Sequence, residues 1–119
     1  MKMNIHLDGE VVVIEMGGRF AFSTHRDFRK KVEELLGRGS KKLIVDLSQV
    51  EFIDSSALGM LLMAREQARL VGGSLALVNP TGYVRKILDL AQFQKIFPIL
   101  PSVDEAVIAV SGVAAGARG

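Results

Sequence analysis

The chain has 119 residues, of which 49% are hydrophobic and 24% are charged. This composition is typical of one folded domain with its own core, and it excludes a disordered polymer and a multidomain enzyme. The chain contains no cysteine, which excludes disulfides, thiolate metal sites and cysteine nucleophiles and favours a reducing compartment.

Charge and hydropathy exclude two further classes of partner. The formal net charge is +2, and the basic residues are scattered among acidic ones instead of forming the concentrated basic face that binds nucleic acid. The longest apolar stretches, residues 11–14 and 57–64, are far shorter than the roughly 18 residues of a membrane span. The first residues also lack the apolar segment of a signal peptide, so we expect a cytoplasmic protein with no membrane partner.

The chain opens with a predicted β-hairpin. Residues 3–7 and 10–16 are apolar runs on either side of Asp8 and Gly9. An Asp-Gly pair readily adopts the positive backbone angles of a tight turn, so the two runs are expected to pair as antiparallel strands.

A loop then leads to the first predicted helix. Ser23 and Thr24 are candidate N-caps, apolar residues follow at helical spacing, and Gly37 and Gly39 end the helix. The next run, residues 42–47, is almost continuously apolar. Such a run is typical of a central strand that is covered on both faces.

A second helix is predicted from Ser55 to about Val71. It is preceded by Asp54, and the side-chain oxygens of Asp54, Ser55 and Ser56 can accept hydrogen bonds from the free amides at a helix start. From the pattern alone two interpretations stay open: these residues simply cap the helix, or one of the serines is a site of modification.

The remaining elements continue the alternation of strand and helix. Residues 74–78 predict a strand, residues 84–91 a helix, and residues 95–100 a short edge strand that is broken by Pro98. Ser102 begins a Ser-x-x-Glu capping box, which opens the last helix.

The order of the elements predicts the fold class. Strands that alternate with helices need crossover connections, which place parallel strands side by side with helices lying on the sheet. We therefore predict one α/β domain over residues 1–110, with a mixed sheet of about five strands flanked by about four helices. A flexible C-terminal tail is expected over residues 111–119, which are small and glycine-rich.

The segment around the serines carries a family resemblance. Residues 45–62 read Val-Asp-Leu-Ser-Gln-Val-Glu-Phe-Ile-Asp-Ser-Ser-Ala-Leu-Gly-Met-Leu-Leu. This segment resembles the signature of the STAS domain, in particular that of the bacterial anti-sigma-factor antagonists. The resemblance continues through residues 72–73, 79–80 and 84–88 and Phe97, so it covers nearly the whole chain and implies a STAS-like fold.

The resemblance implies a partner-switching cycle. The unmodified protein would bind an anti-sigma factor with a histidine-kinase-like ATP fold and so free a sigma factor. That partner would phosphorylate the first serine after the aspartate, which here is Ser55, with Asp54 and Ser56 as its neighbours, and a metal-dependent serine phosphatase would reset it. The chain would then be a substrate and ligand of enzymes, without catalytic residues or a cofactor of its own.

One position departs from the family pattern. Many of these antagonists carry an acidic residue in the first loop, where this chain has Ala21. Since that loop lies near the phosphorylated serine in the family, the alanine bears on the phosphorylation rate or on the choice of partner.

A partner surface is predicted around the serine. Three apolar residues of the second helix lie opposite the side that should face the sheet and beside charged residues, which favours a contact patch. The alternative interpretation is a broad buried stripe under a neighbouring loop. The first loop should lie at the same edge of the sheet, where open α/β sheets bind ligands. The residues predicted to contact the partner are Leu58, Gly59, Leu62, Met63, Ser23 and Thr24.

Two other functions stay open. A non-phosphorylated STAS subunit of a lipid-transport ABC complex would dock a helix on a membrane component. A small serine hydrolase would need His25 beside Ser55 with a pocket between them. His6 and His25 are far apart and have no carboxylate at metal-ligand spacing, so no metal site is predicted.

Overall fold

A computed structural model of the chain describes residues 2–111. The predicted tail lies outside the described residues apart from Ser111, which ends the last helix instead of beginning the tail. A 3-10 turn over Phe93–Lys95 precedes the last strand. The elements are β1 (Lys2–Asp8), β2 (Val11–Phe20), α1 (His25–Gly37), β3 (Lys42–Ile53), α2 (Ser55–Leu70), β4 (Ser74–Val78), α3 (Gly82–Leu90), β5 (Ile99–Leu100) and α4 (Val103–Ser111).

The strands form one mixed sheet in the order β1-β2-β3-β4-β5. β1 pairs antiparallel with β2, and every later pair is parallel. Because the spatial order follows the chain order, right-handed crossovers place α1, α2 and α3 on the same face of the sheet. The predicted α/β fold with five strands and four helices is confirmed.

Two apolar clusters cover the two faces of the sheet. The larger cluster lies between the sheet and the helices α1, α2 and α3, and the smaller one lies between the sheet and α4. Leu43 and Val45 of β3 belong to the larger cluster, and Ile44 between them belongs to the smaller one. A strand that is buried on both faces needs a continuous apolar run, which is the pattern that the sequence showed.

Four predicted boundaries need correction. Strands β2 and β3 continue to Phe20 and Ile53, past the predicted ends at residues 16 and 47. The hairpin turn is formed by Gly9 and Glu10, since Asp8 pairs with Val11, and Gly9 has a φ of +64°. The last strand is only Ile99–Leu100. Just before it, Phe93 and Phe97 are buried against each other with ring centroids 5.3 Å apart, and a 3-10 turn over Phe93–Lys95 occupies the point where the strand was predicted to begin.

A close approach of backbone positions the start of β4. Gly73 lies against Lys41, and the Ser74 N–H donates to the Lys41 carbonyl oxygen at 2.8 Å. A Cβ atom at Gly73 would collide with that carbonyl group, which is backbone and cannot turn aside. Gly59 in α2 is different, because a Cβ atom there would meet nothing within 4 Å.

These two glycines give a matched test of the packing. Gly73→Ala should lower the free energy of unfolding by about 1–3 kcal/mol, because it forces β3 and β4 apart. Gly59→Ala should raise it by about 0.5–1 kcal/mol, since alanine is the better residue inside a helix. Urea denaturation measures both, and a Gly73→Ala protein as stable as the unmodified one would contradict the close approach.

Candidate functional site

The strands β2 and β3 end side by side. Phe20, the last residue of β2, is paired in register with Ile53, the last residue of β3. Because the strands are parallel, the loop that follows β2 and the start of α2 after β3 leave the sheet at the same edge. Both predicted parts of the site are therefore brought together.

Asp54 begins helix α2. Its backbone is extended, with φ −116° and ψ 179°, and its Oδ1 accepts a hydrogen bond from the Ala57 N–H at 3.0 Å. The Asp54 carbonyl oxygen accepts from the Leu58 N–H at 3.1 Å. Asp54 is thus the N-cap of α2, and the capping bond to Ala57 comes from its carboxylate and not from a serine hydroxyl.

The second carboxylate oxygen of Asp54 reaches the other loop. Oδ2 accepts from the Phe22 N–H at 3.0 Å, although the two residues are 32 positions apart in the chain. One side chain therefore joins the start of α2 to the loop after β2. A serine in place of Asp54 would have one side-chain oxygen on a shorter side chain, so it could not place separate acceptors at the positions of Oδ1 and Oδ2.

Thr24 closes the loop after β2 and does not cap α1. It is at the N-cap position but makes no side-chain capping bond. Its Oγ1 donates to the Arg19 carbonyl oxygen at 2.8 Å and accepts from the Ala21 N–H at 3.0 Å. Ser23 beside it is exposed. Of the two loop residues predicted to contact a partner, Ser23 is at the surface and Thr24 holds the loop in shape.

Ser55 is the first residue of α2 and is exposed, whereas Ser56 is partly buried. The positive end of the helix dipole lies at this terminus, so an anion attached to Ser55 would be in a favourable field. Asp54 supplies a negative charge next to it. Ser55 is accordingly the accessible one of the two hydroxyls.

Helix α2 turns four small or apolar residues into the core. The buried ones are Ala57, Leu61, Ala64 and Ala68. Leu62 points away from them and is 39% exposed, while Met63 is partly buried. Leu58 is also partly buried, and it packs against the larger cluster. The predicted patch therefore centres on Leu62, beside the exposed backbone at Gly59, and Leu58 is shared with the core.

Charged residues with intramolecular partners border this patch. Arg65 donates through Nε to the Ile96 carbonyl oxygen at 3.1 Å, which ties α2 to the turn before β5. Arg69 donates to both carboxylate oxygens of Glu66, at 3.1 Å and 2.7 Å, and this hydrogen bonding lowers the pKa of Glu66. The apolar patch around Leu62 is therefore bordered by charged residues that are held by hydrogen bonds.

The aromatic residue Phe22 is a surface feature of the site that the sequence did not reveal. Its side chain is 71% exposed, and its N–H is held by Asp54. The sequence did contain one signal for it: an aromatic residue lies between Ala21 and Ser23, in the loop predicted to lie at the ligand-binding edge of the sheet. Ala21 itself is only 8% exposed, so it is a packing position in this chain.

Other features of the described residues point to no second chemistry. A groove of about 710 Å³ lies on the sheet face beyond α4 and is lined by residues of β1, β2 and β3, without Ser55. No group of three or more His, Cys, Asp or Glu side chains within residues 2–111 could hold a metal ion. Over the same residues, no helix has the length and apolar character required to cross a membrane.

The double role of Asp54 can be tested by three substitutions. Asp54→Ala should lower the free energy of unfolding by about 0.5–2 kcal/mol, as for other lost N-caps, and should speed hydrogen exchange at the Phe22 amide. Asp54→Ser should restore much of the stability, since a serine can cap α2, but should leave the Phe22 amide unprotected. Ser55→Ala is the control and should change neither quantity. Full protection of Phe22 in the Asp54→Ser protein would contradict the link between the loops.

Comparison with known proteins agrees with the fold described above. Residues 2–106 match the model of the STAS domain. A STAS-domain-containing protein of Pseudomonas aeruginosa (strain UCBPP-PA14) is 39% identical over 92 residues, which cover 77% of this chain and 90% of that protein.

Two solved structures share the fold. The crystal structure of a candidate anti-sigma factor antagonist from Thermotoga maritima has a TM-score of 0.85 at 29% identity and covers 92% of this chain and 94% of that one. The anti-sigma factor antagonist SpoIIAA in its unphosphorylated form has a TM-score of 0.71 at 25% identity, with coverage of 93% and 99%. Since the family model spans most of the chain and the fold agrees along it, the chain belongs to the STAS-domain family, in which several of its relatives are named anti-sigma factor antagonists.

Proposed function

We propose that this chain is an anti-sigma factor antagonist whose binding to an anti-sigma factor is switched off by phosphorylation of Ser55. The observation that carries the proposal is the exposed Ser55 at the start of α2, directly after the N-cap Asp54. The relative SpoIIAA, an anti-sigma factor antagonist, is described in an unphosphorylated form. That description supports the proposal that phosphorylation controls binding.

The position of Ser55 allows modification without unfolding. The side chain is exposed, so a kinase can reach it and the phosphate can remain in water. The dipole at the start of α2 favours the added anion. Asp54 already satisfies the Ala57 amide at this terminus, so the helix does not depend on the Ser55 hydroxyl for its cap.

The same position explains how a phosphate would end binding. It adds about 1.5–2 negative charges and three acceptor oxygens beside the carboxylate of Asp54. A partner surface that fits a neutral serine together with the exposed residues Phe22 and Leu62 would meet charge repulsion and a cost of desolvation. Binding would be lost while the fold is kept.

The proposal includes the enzymes of the cycle. The anti-sigma factor, with its histidine-kinase-like ATP fold, is the serine kinase, and a metal-dependent serine phosphatase resets Ser55. The chain itself is the ligand and substrate of these proteins and catalyses neither step.

The contact surface is formed by α2 and the loop after β2. It contains Leu58, Gly59, Leu62, Met63 and Ser23, with Thr24 shaping the loop.

Three variants of Ser55 test the switch. Ser55→Glu should weaken binding to the anti-sigma factor, because it places a permanent charge beside Asp54, and Ser55→Ala should bind but accept no phosphate. Titration calorimetry with the anti-sigma factor of the same host measures both effects. Thermal unfolding should be nearly unchanged in each variant.

Ser56→Ala is the matched control, since Ser56 is the neighbouring hydroxyl. It should bind and be phosphorylated like the unmodified protein, and a phosphopeptide map should place the phosphate on Ser55. Equal affinity of Ser55→Glu, Ser55→Ala and the unmodified chain would refute the switch.

The apolar patch on α2 is tested with Leu62→Gln. It should weaken binding by more than about 1 kcal/mol if Leu62 is a hot spot, and it should cost the free domain little because the side chain is 39% exposed. Met63→Gln should act in the same direction with a somewhat larger cost in stability, since Met63 is partly buried.

Two controls separate contact from folding. Leu61→Ala empties a fully buried position and should cost about 2–5 kcal/mol of stability. Ile108→Gln changes an exposed apolar residue on α4, which lies on the other face of the sheet, and should leave affinity unchanged. If Leu62→Gln unfolds the domain as Leu61→Ala does, the patch belongs to the core.

A further inference from the structure

The outer edge of β1 has no neighbour among residues 2–111. β1 stands first in the strand order and pairs only with β2. It does so over all seven of its residues without a shift in register. A straight edge of this kind presents unpaired N–H and C=O groups, which can pair with another strand. We propose that a second copy of this chain pairs with this edge, antiparallel about Ile5, to form a two-fold dimer with one continuous sheet.

The hairpin turn determines which backbone groups of β1 point outwards. Asp8 and Val11 flank a two-residue turn and therefore form a hydrogen-bonded pair. Hydrogen-bonded and non-hydrogen-bonded pairs alternate along antiparallel strands, so the even-numbered residues of β1 bond to β2. The odd-numbered residues, Met3, Ile5 and Leu7, direct their N–H and C=O groups to the free edge.

Two copies of β1 placed antiparallel about Ile5 match this pattern. Ile5 faces Ile5 of the second copy and Met3 faces Leu7, so the outward-pointing residues meet one another and can exchange both of their hydrogen bonds. In the same register Lys2 faces Asp8 at each end of the paired strands, and opposite charges directly across a sheet are stabilising. A shift by two residues in either direction removes both of these charge pairs.

The pairing also covers apolar surface. Leu7 is 70% exposed, while Met3 and Ile5 are partly buried and pack against the larger cluster. Alternate residues share one face of a strand, so Leu7 would lie opposite Met3 of the second copy, at the margin of its core. Asn4 would lie opposite His6 on the other, polar face.

The strand is short, which determines the strength of the contact. Two seven-residue strands bury less than the roughly 1,200 Å² of a stable interface, so the dimer should depend on concentration. In the sheet, β1 is separated by β2 from β3, the strand that Ser55 follows. The dimer contact at β1 therefore lies apart from the proposed site of phosphorylation. The inference therefore does not rest on the proposed function.

Cysteine cross-linking tests the register, and the chain has no cysteine of its own to interfere. Hydrogen-bonded antiparallel partners have Cα atoms about 5.5 Å apart, within the range that a disulfide spans. Met3→Cys mixed with Leu7→Cys should form a covalent dimer under mild oxidation, and neither variant should do so alone. Ile5→Cys should cross-link to itself. Self-linking of Leu7→Cys without the mixed product would overturn the register.

Sedimentation of the full chain tests the association and its charges. The unmodified protein should rise with concentration from 12.9 kDa towards twice that mass. Lys2→Asp or Asp8→Lys alone should raise the dissociation constant by roughly tenfold or more, since each places like charges opposite one another. The double variant Lys2→Asp with Asp8→Lys should restore it. A chain that stays monomeric at millimolar concentration, or a dimer indifferent to these changes, would overturn the proposal.

Discussion

The site depends on the two oxygens of the Asp54 carboxylate. One oxygen caps α2 through Ala57 and the other holds the Phe22 amide, so the helix start and the loop after β2 are fixed to each other. This is possible because β2 and β3 are parallel and end in register. Ser55 takes its position from this link without contributing a cap. Ser55, the residue proposed for modification, therefore has little structural role. Asp54 has the structural role, and its carboxylate cannot be modified by a serine kinase.

Local patterns predicted most of the fold. The continuous apolar run in β3, the helical spacing in α1 and α2, and the Ser-x-x-Glu box before α4 each depend on neighbours within a few residues, and the structure confirms them. The Ser102 Oγ, for example, accepts from the Glu105 N–H at 3.2 Å. The length of β5 could not be predicted in this way, because it depends on how Phe93 and Phe97 pack against each other.

The site could be predicted only in part for the same reason. Asp54 as a cap and Ser55 as an exposed neighbour follow from an Asp-Ser-Ser sequence before an apolar helix. The Phe22 contact joins residues 32 positions apart and needs the strand pairing to be known. Thr24 was predicted as a candidate cap of α1, but its hydroxyl bridges the loop after β2 instead. A threonine hydroxyl can do either, and the position of the Arg19 carbonyl group decides between them.

The placement of α4 on its own face of the sheet has a consequence for the biosynthesis of the protein. The other face is covered by helices that alternate with the strands, so each strand meets its cover soon after the ribosome has made it. Val11, Val13 and Ile44 have no cover until α4 has emerged, some sixty to ninety residues later in the chain. During that interval the nascent sheet exposes an apolar surface, which is the kind of surface that chaperones bind and through which incomplete chains aggregate.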